Sequence, residues 1–125
     1  MSRRYHLVTI GGEEYRLRYG RAPLIDAQTK AGKTVGQIFG ALVILDLEAM
    51  QVLLWAALRT ENPTTSYNQA GEILDQWMEE THLVEIQEAL NEAAVASGLL
   101  VRDRIEEDEE DEESAPKASG SGQTK

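Results

Sequence analysis

The chain has 125 residues, no cysteine and a formal net charge of −10, a length that fits one domain and a composition that rules out a disulfide framework or a thiolate metal site. The acidity is uneven, with 9 Lys/Arg against 13 Asp/Glu in residues 1–102 and 3 against 9 in residues 103–125. Such a balance disfavours nucleic-acid phosphate as a partner, and no window is long and apolar enough to span a membrane.

Tyr5 to Tyr19 reads as a β-hairpin around Gly11-Gly12. With a two-residue loop, Ile10 faces Glu13, Val8 faces Tyr15 and His6 faces Leu17, so Val8, Ile10, Tyr15 and Leu17 share an apolar side. Thr9, Glu14, Arg16 and Arg18 form the polar side. A lone hairpin is barely stable, so it must pack on the helices that follow or join a sheet with another copy. A short helix is predicted over Pro23 to Lys30, stopped by Gly32. A second starts near Thr34, which has capping-box spacing to Gln37, and runs through Ile38, Leu42 and Leu45.

Asp46 offers a cap for the third helix, Leu47 to Arg59, in which Leu47, Met50, Leu53, Leu54, Ala57 and Leu58 form one buried stripe. Val52, Trp55 and Ala56 fall outside it, and a helix apolar nearly all round must be covered on more than one side, by its own fold or by a partner. Pro63 ends that helix region. Ser66 with Gln69 repeats the capping box and opens a helix lined by Ala70, Ile73, Leu74, Trp77 and Met78. The last helix, Leu83 to Ser97, turns Leu83, Ile86, Leu90, Ala93 and Ala94 inward and stops at Gly98. The fold class is therefore α+β, mainly α: an N-terminal β-hairpin followed by a compact body of four to five helices over residues 1–102. Residues 103–125 form an acidic tail, entirely Asp and Glu from Glu106 to Glu113, whose composition predicts disorder.

Few residues suggest catalysis. Gly32-Lys33-Thr34 matches the end of a phosphate-binding loop, but that motif needs glycine where Ala27 stands, so a helix stop and cap is the better reading. His6 and His82 lack companions at ligand spacing. The carboxylates of Glu72, Asp75, Glu79, Glu80, Glu85, Glu88 and Glu92 fall mostly opposite the apolar stripes, where charge is simply solvated. No catalytic, cofactor or metal residue is assigned. Trp77, central in its stripe, reads as a core anchor. Trp55 lies to one side of its own stripe, beside Val52, where an aromatic can anchor a partner. The expected partner-binding surface is Met50, Val52, Leu54, Trp55 and Leu58.

The order of hairpin, LLWAALR helix (Leu53 to Arg59), Asn62-Pro63-Thr64-Thr65-Ser66 break and Ala70-Gly71-Glu72-Ile73-Leu74-Asp75 helix resembles the tail assembly chaperones of long-tailed bacteriophages, over about Tyr5 to Leu100. The resemblance implies a non-enzymatic protein that binds and solubilises the tape measure protein during tail assembly. It implies action in the host cell cytoplasm and absence from the mature virion, with no nucleic acid, membrane or cofactor involved. Self-association into a homo-oligomer is expected. In such systems a frameshift-extended form of the chaperone recruits tail tube protein. The rival readings are an acidic regulator that mimics nucleic acid, a minor structural tail or head-completion protein, and, least supported, a small enzyme.

Overall fold

The computed structural model describes residues 4–100. Strands β1 (His6–Ile10) and β2 (Glu13–Leu17) are followed by helices α1 (Arg21–Ala31), α2 (Val35–Val43), α3 (Leu47–Glu61), α4 (Tyr67–Glu80) and α5 (Leu83–Ala96). This is the expected hairpin followed by a helical body. The acidic tail, residues 103–125, lies outside the described residues.

The hairpin adopts the register set by its loop: His6 pairs with Leu17, Val8 with Tyr15 and Ile10 with Glu13. Gly11 (φ 60°) and Gly12 (φ 83°) both take left-handed backbone, the geometry of a two-residue turn that matches the twist of paired strands. Ile10 and Leu17 are buried. The apolar side packs within the same chain, β2 on α3 and β1 on α4 and α5. Both ends of the hairpin are tied down across long sequence separations. At the tip the Gly11 N–H donates to both carboxylate oxygens of Glu80, at 3.1 and 2.9 Å. At the base the Tyr19 N–H donates to Ser97 Oγ at 2.8 Å, and the Gly20 N–H to Thr60 Oγ1 at 3.0 Å. The Gly11 amide, helped by the Gln76 side chain, holds the Glu80 carboxyl below its ordinary value of 4.5, because both donors favour the ionised form.

The helix ends obey local chemistry. Thr34 with Gln37 and Ser66 with Gln69 form full capping boxes, and Asp46 accepts from the Glu48 N–H. After α5 the Leu99 N–H reaches Ala94 O at 2.9 Å and the Gly98 N–H reaches Val95 O at 3.0 Å, which satisfies carbonyls that the helix leaves open. Helix α2 stops at Val43 rather than continuing to Leu45, because Leu45 itself turns left-handed (φ 63°).

At the centre lies α3, in contact with β2 and with every other helix. Ala49, Met50, Val52, Leu53, Leu54, Ala56, Ala57 and Leu58 are all buried, so coverage on more than one side, which the sequence demands, comes from the chain's own fold. Trp77 is buried as expected, at 6% exposure. Two stripe residues differ: Leu47 is 47% exposed and Met78 is 37% exposed. Helical spacing assigns a face but not a cover. Leu47 opens α3 and Met78 sits in the last turn of α4, where the covering elements run out. Tyr19 packs edge-on against Phe39, with ring centroids 5.7 Å apart. Its hydroxyl has no partner among the described residues, and burial pushes its pKa up.

Candidate functional site

The surface expected on α3 is not available in this fold. Met50 and Leu54 are 0% exposed, Val52 2% and Leu58 6%, so a partner could reach them only by opening the core. The physical reason is the central position of α3: the side that falls outside its main stripe is covered by neighbouring helices, not left for a client. Trp55 alone keeps partial exposure, and it is already engaged. Its indole N–H donates to Thr65 O at 3.1 Å, and its ring meets Tyr67 edge-on at 5.5 Å between centroids. Arg59 Cζ lies 5.2 Å from the ring centre and Lys30 Nζ 6.0 Å, distances at which a cation is drawn to an aromatic face. Arg59 in turn pairs with Asp26 of α1. Trp55 thus pins the α3–α4 loop and α1 to the outer side of α3.

The two most exposed large apolar side chains among the described residues, Val43 and Ile44, lie just before α3. Val43 is 66% exposed, Ile44 77% and Leu47 47%, spanning the end of α2, the connection and the start of α3. This turn is tightly hydrogen-bonded. The Ile44 N–H donates to Ala41 O, the Leu45 N–H to Leu42 O at 2.9 Å and the Asp46 N–H to Ala41 O at 3.1 Å. The Gln87 side chain of α5 donates to both Leu42 O and Val43 O at 3.0 Å. Asp46 closes the turn by capping α3. Leu45, a γ-branched residue in left-handed backbone, carries a cost of roughly 1–2 kcal/mol, and it is this conformation that lets the chain reverse while Ile44 points outward. Three apolar side chains are therefore held in water by a backbone with little freedom to retract them. On α5, Val84 is 49% exposed and lies one helical turn before Gln87, so it extends the same ridge. Isolated exposed apolar residues are ordinary, but a cluster on a rigid support is a candidate interaction surface.

Charge around the ridge is predominantly negative. From Thr34 to Leu58 there is no Lys or Arg, and none from Thr60 to Val101, a stretch that holds eight Asp/Glu. Asp46 and Glu48 flank Leu47, and Glu88 lies one turn beyond Val84 on α5. None of these three forms an ion pair among the described residues; the two pairs there are Arg18–Glu61 and Arg59–Asp26. Lys30 and Lys33 line a cleft together with Asp46 and Glu48 but form no ion pair with them among the described residues.

The remaining sequence candidates separate. Gly32 is the left-handed stop of α1 and Thr34 the cap of α2, while Ala27 is buried in α1. His82 precedes α5 without a side-chain capping bond, and His6 lies on β1. Glu85 accepts a hydrogen bond from the Thr81 hydroxyl, and Glu80 serves the hairpin tip. Among the described residues no three His, Cys, Asp or Glu converge on a metal position, and no helix is long and apolar enough to cross a membrane. A cleft between β2 and the α3–α4 junction is lined by Glu13, Glu14, Glu61 and Glu72 together with Arg16 and Ile73. Searches against protein-family models, curated proteins and solved structures return no match for the chain.

The ridge escaped sequence reading for a specific reason. Ala41 to Leu45 reads as a core-sized apolar run, and within a helix that is sound. Val43, Ile44 and Leu45, however, occupy the last helical position, the cap and the residue beyond it, where a period of 3.6 no longer assigns faces. An apolar run that continues into an Asp cap with no intervening Gly was the available signal.

Proposed function

We propose that this chain is a tail assembly chaperone of a long-tailed bacteriophage, which keeps the tape measure protein soluble during tail assembly and performs no catalysis. The observation that carries the reading is the ridge of Val43, Ile44 and Leu47. A protein that holds an aggregation-prone helical client must offer apolar surface without collapsing onto it, and a hydrogen-bonded turn does this. The acidic surroundings keep client and holder dispersed. The succession of hairpin, central apolar helix and two further helices supports the reading through the family resemblance. In this reading the ridge, not the Trp55 face of α3, receives the client.

Co-expression with the tape measure protein from the same genome tests the proposal. The wild-type chain should raise the client's soluble fraction and co-purify with it, and the double variant Val43→Asp/Ile44→Asp should do neither while melting like wild type. A client that remains soluble with the double variant would sink the assignment of the ridge. A client that never needs the chain would sink the chaperone reading itself. The uninterrupted acidity of residues 60–101 favours one second reading, an acidic mimic that occupies a basic site. That reading requires binding to persist in the ridge variant and to fall steeply with salt.

A further inference from the structure

We propose that the ridge formed by Val43, Ile44, Leu47 and Val84 receives one class of partner: an amphipathic helix whose apolar stripe is bordered by lysine or arginine. This deepens the client-holding reading and rests on it. The argument comes from what surrounds the ridge. Its centre is apolar and rigid, since the turn's N–H groups and two of its carbonyls are already bonded. It therefore has little main-chain capacity to add a strand, and recognition must run through side chains. A helix that lays an i, i+3, i+4, i+7 stripe across such a knob buries the exposed side chains without asking for backbone hydrogen bonds.

The border decides the helix's charge. Asp46 and Glu48 flank Leu47 and Glu88 lies on α5, each without a Lys or Arg ion-pair partner among the described residues. A helix flanked by carboxylates would bring like charges together as the apolar contact forms and water leaves. A helix flanked by Lys or Arg would give these three acids the partners they lack. Rim charges contribute mainly to selection and to the rate of encounter, so the charge should act as a filter on top of apolar contact.

The test uses the full chain and two synthetic peptides of about 18 residues, above the length at which isolated helices become marginal. Both carry the same leucine stripe. One has lysine at its borders and the other glutamate, and binding is followed by fluorescence anisotropy at about 0.15 M salt, where distant charges are screened. The lysine peptide should bind at least tenfold more tightly than the glutamate peptide. The variant Ile44→Asp separates the ridge from general attraction to an acidic chain. It adds negative charge, so a merely electrostatic interaction would strengthen. The inference requires it to weaken by tenfold or more with the melting temperature unchanged. The double variant Glu48→Lys/Glu88→Lys should reverse the preference towards the glutamate peptide. Equal binding of both peptides, binding of neither, or lysine-peptide binding unaffected or improved by Ile44→Asp would each overturn the inference. Because client solubility in co-expression is read separately, the chaperone reading can survive such a failure, and its own failure leaves the peptide result interpretable.

Discussion

Helix α3 and the turn that leads into it are similarly apolar in sequence and opposite in environment. LEAMQVLLWAAL sits at the centre of the fold with eight buried residues, whereas Val43 and Ile44, a few positions earlier, are among the most exposed large apolar side chains described. The difference lies in what the backbone does. In α3 a continuous helix offers its sides to four helices and a strand, and each covers part of the circumference. At the turn the backbone spends its hydrogen bonds on itself and on Gln87, and no element passes over the outside. Apolar content therefore states how much surface needs covering, and only the path of the chain states which part is covered from within.

The sharpest way to break this contrast is to remove core volume. Trp77→Ala should cost ~3–5 kcal/mol, as truncation of a buried tryptophan does, and circular dichroism should show a severely lowered melt or an unfolded chain. Trp55→Ala is expected to fall between core and surface. Losing an edge-on aromatic contact (~0.5–1.5 kcal/mol) and a hydrogen bond of similar worth should cost about 2 kcal/mol. A melt as low as that of Trp77→Ala would show that Trp55 belongs to the core proper; one equal to wild type would show that its contacts with Thr65 and Tyr67 add nothing.

Smaller effects belong to the ties and the turn. Because the Gly11 amide depresses the Glu80 pKa, that tie contributes stability above the carboxyl's ordinary value of 4.5 and loses it as pH falls through the lower folded value. Glu80→Gln should therefore speed amide exchange at Gly11 at neutral pH, and its difference from wild type should vanish under strong acid. If the exchange rates agree at neutral pH, the tie is absent in solution. Smallest of all, Ile44→Ser should move stability by no more than ~0.5 kcal/mol, as surface changes usually do. Leu45→Gly should likewise be close to neutral, since relief of left-handed strain offsets lost packing and the wider freedom of glycine in the unfolded chain. A large loss at Ile44 would mean that the ridge is covered in solution.

What could be read from sequence was local. The hairpin register follows from Gly11-Gly12, and the caps at Thr34, Asp46 and Ser66 follow from residues within three positions of the helices they start. Trp77 was legible because its stripe is narrow and has only one plausible side. The Trp55 face was not, because whether α3 is covered there depends on α1 and on Tyr67, which periodicity within α3 cannot report. The tie from Gly11 to Glu80 spans 69 positions, and nothing in either residue's neighbourhood announces the other. The exposure of Ile44 was missed for a related reason: a cap residue belongs to no face.

That long tie also bears on how the chain is born. The hairpin leaves the ribosome ahead of the helices it packs on, yet its tip waits for Glu80 and its base for Ser97, whose hydroxyl lies 78 positions from the Tyr19 amide it receives. At ~5–20 residues per second, synthesis of that stretch takes on the order of several seconds. Until α4 and α5 follow α3 the hairpin's apolar side lacks its full cover, and the two strand edges are open to any passing chain. The described fold can close only when its last helix has been made, so the hairpin stays incompletely covered through that interval.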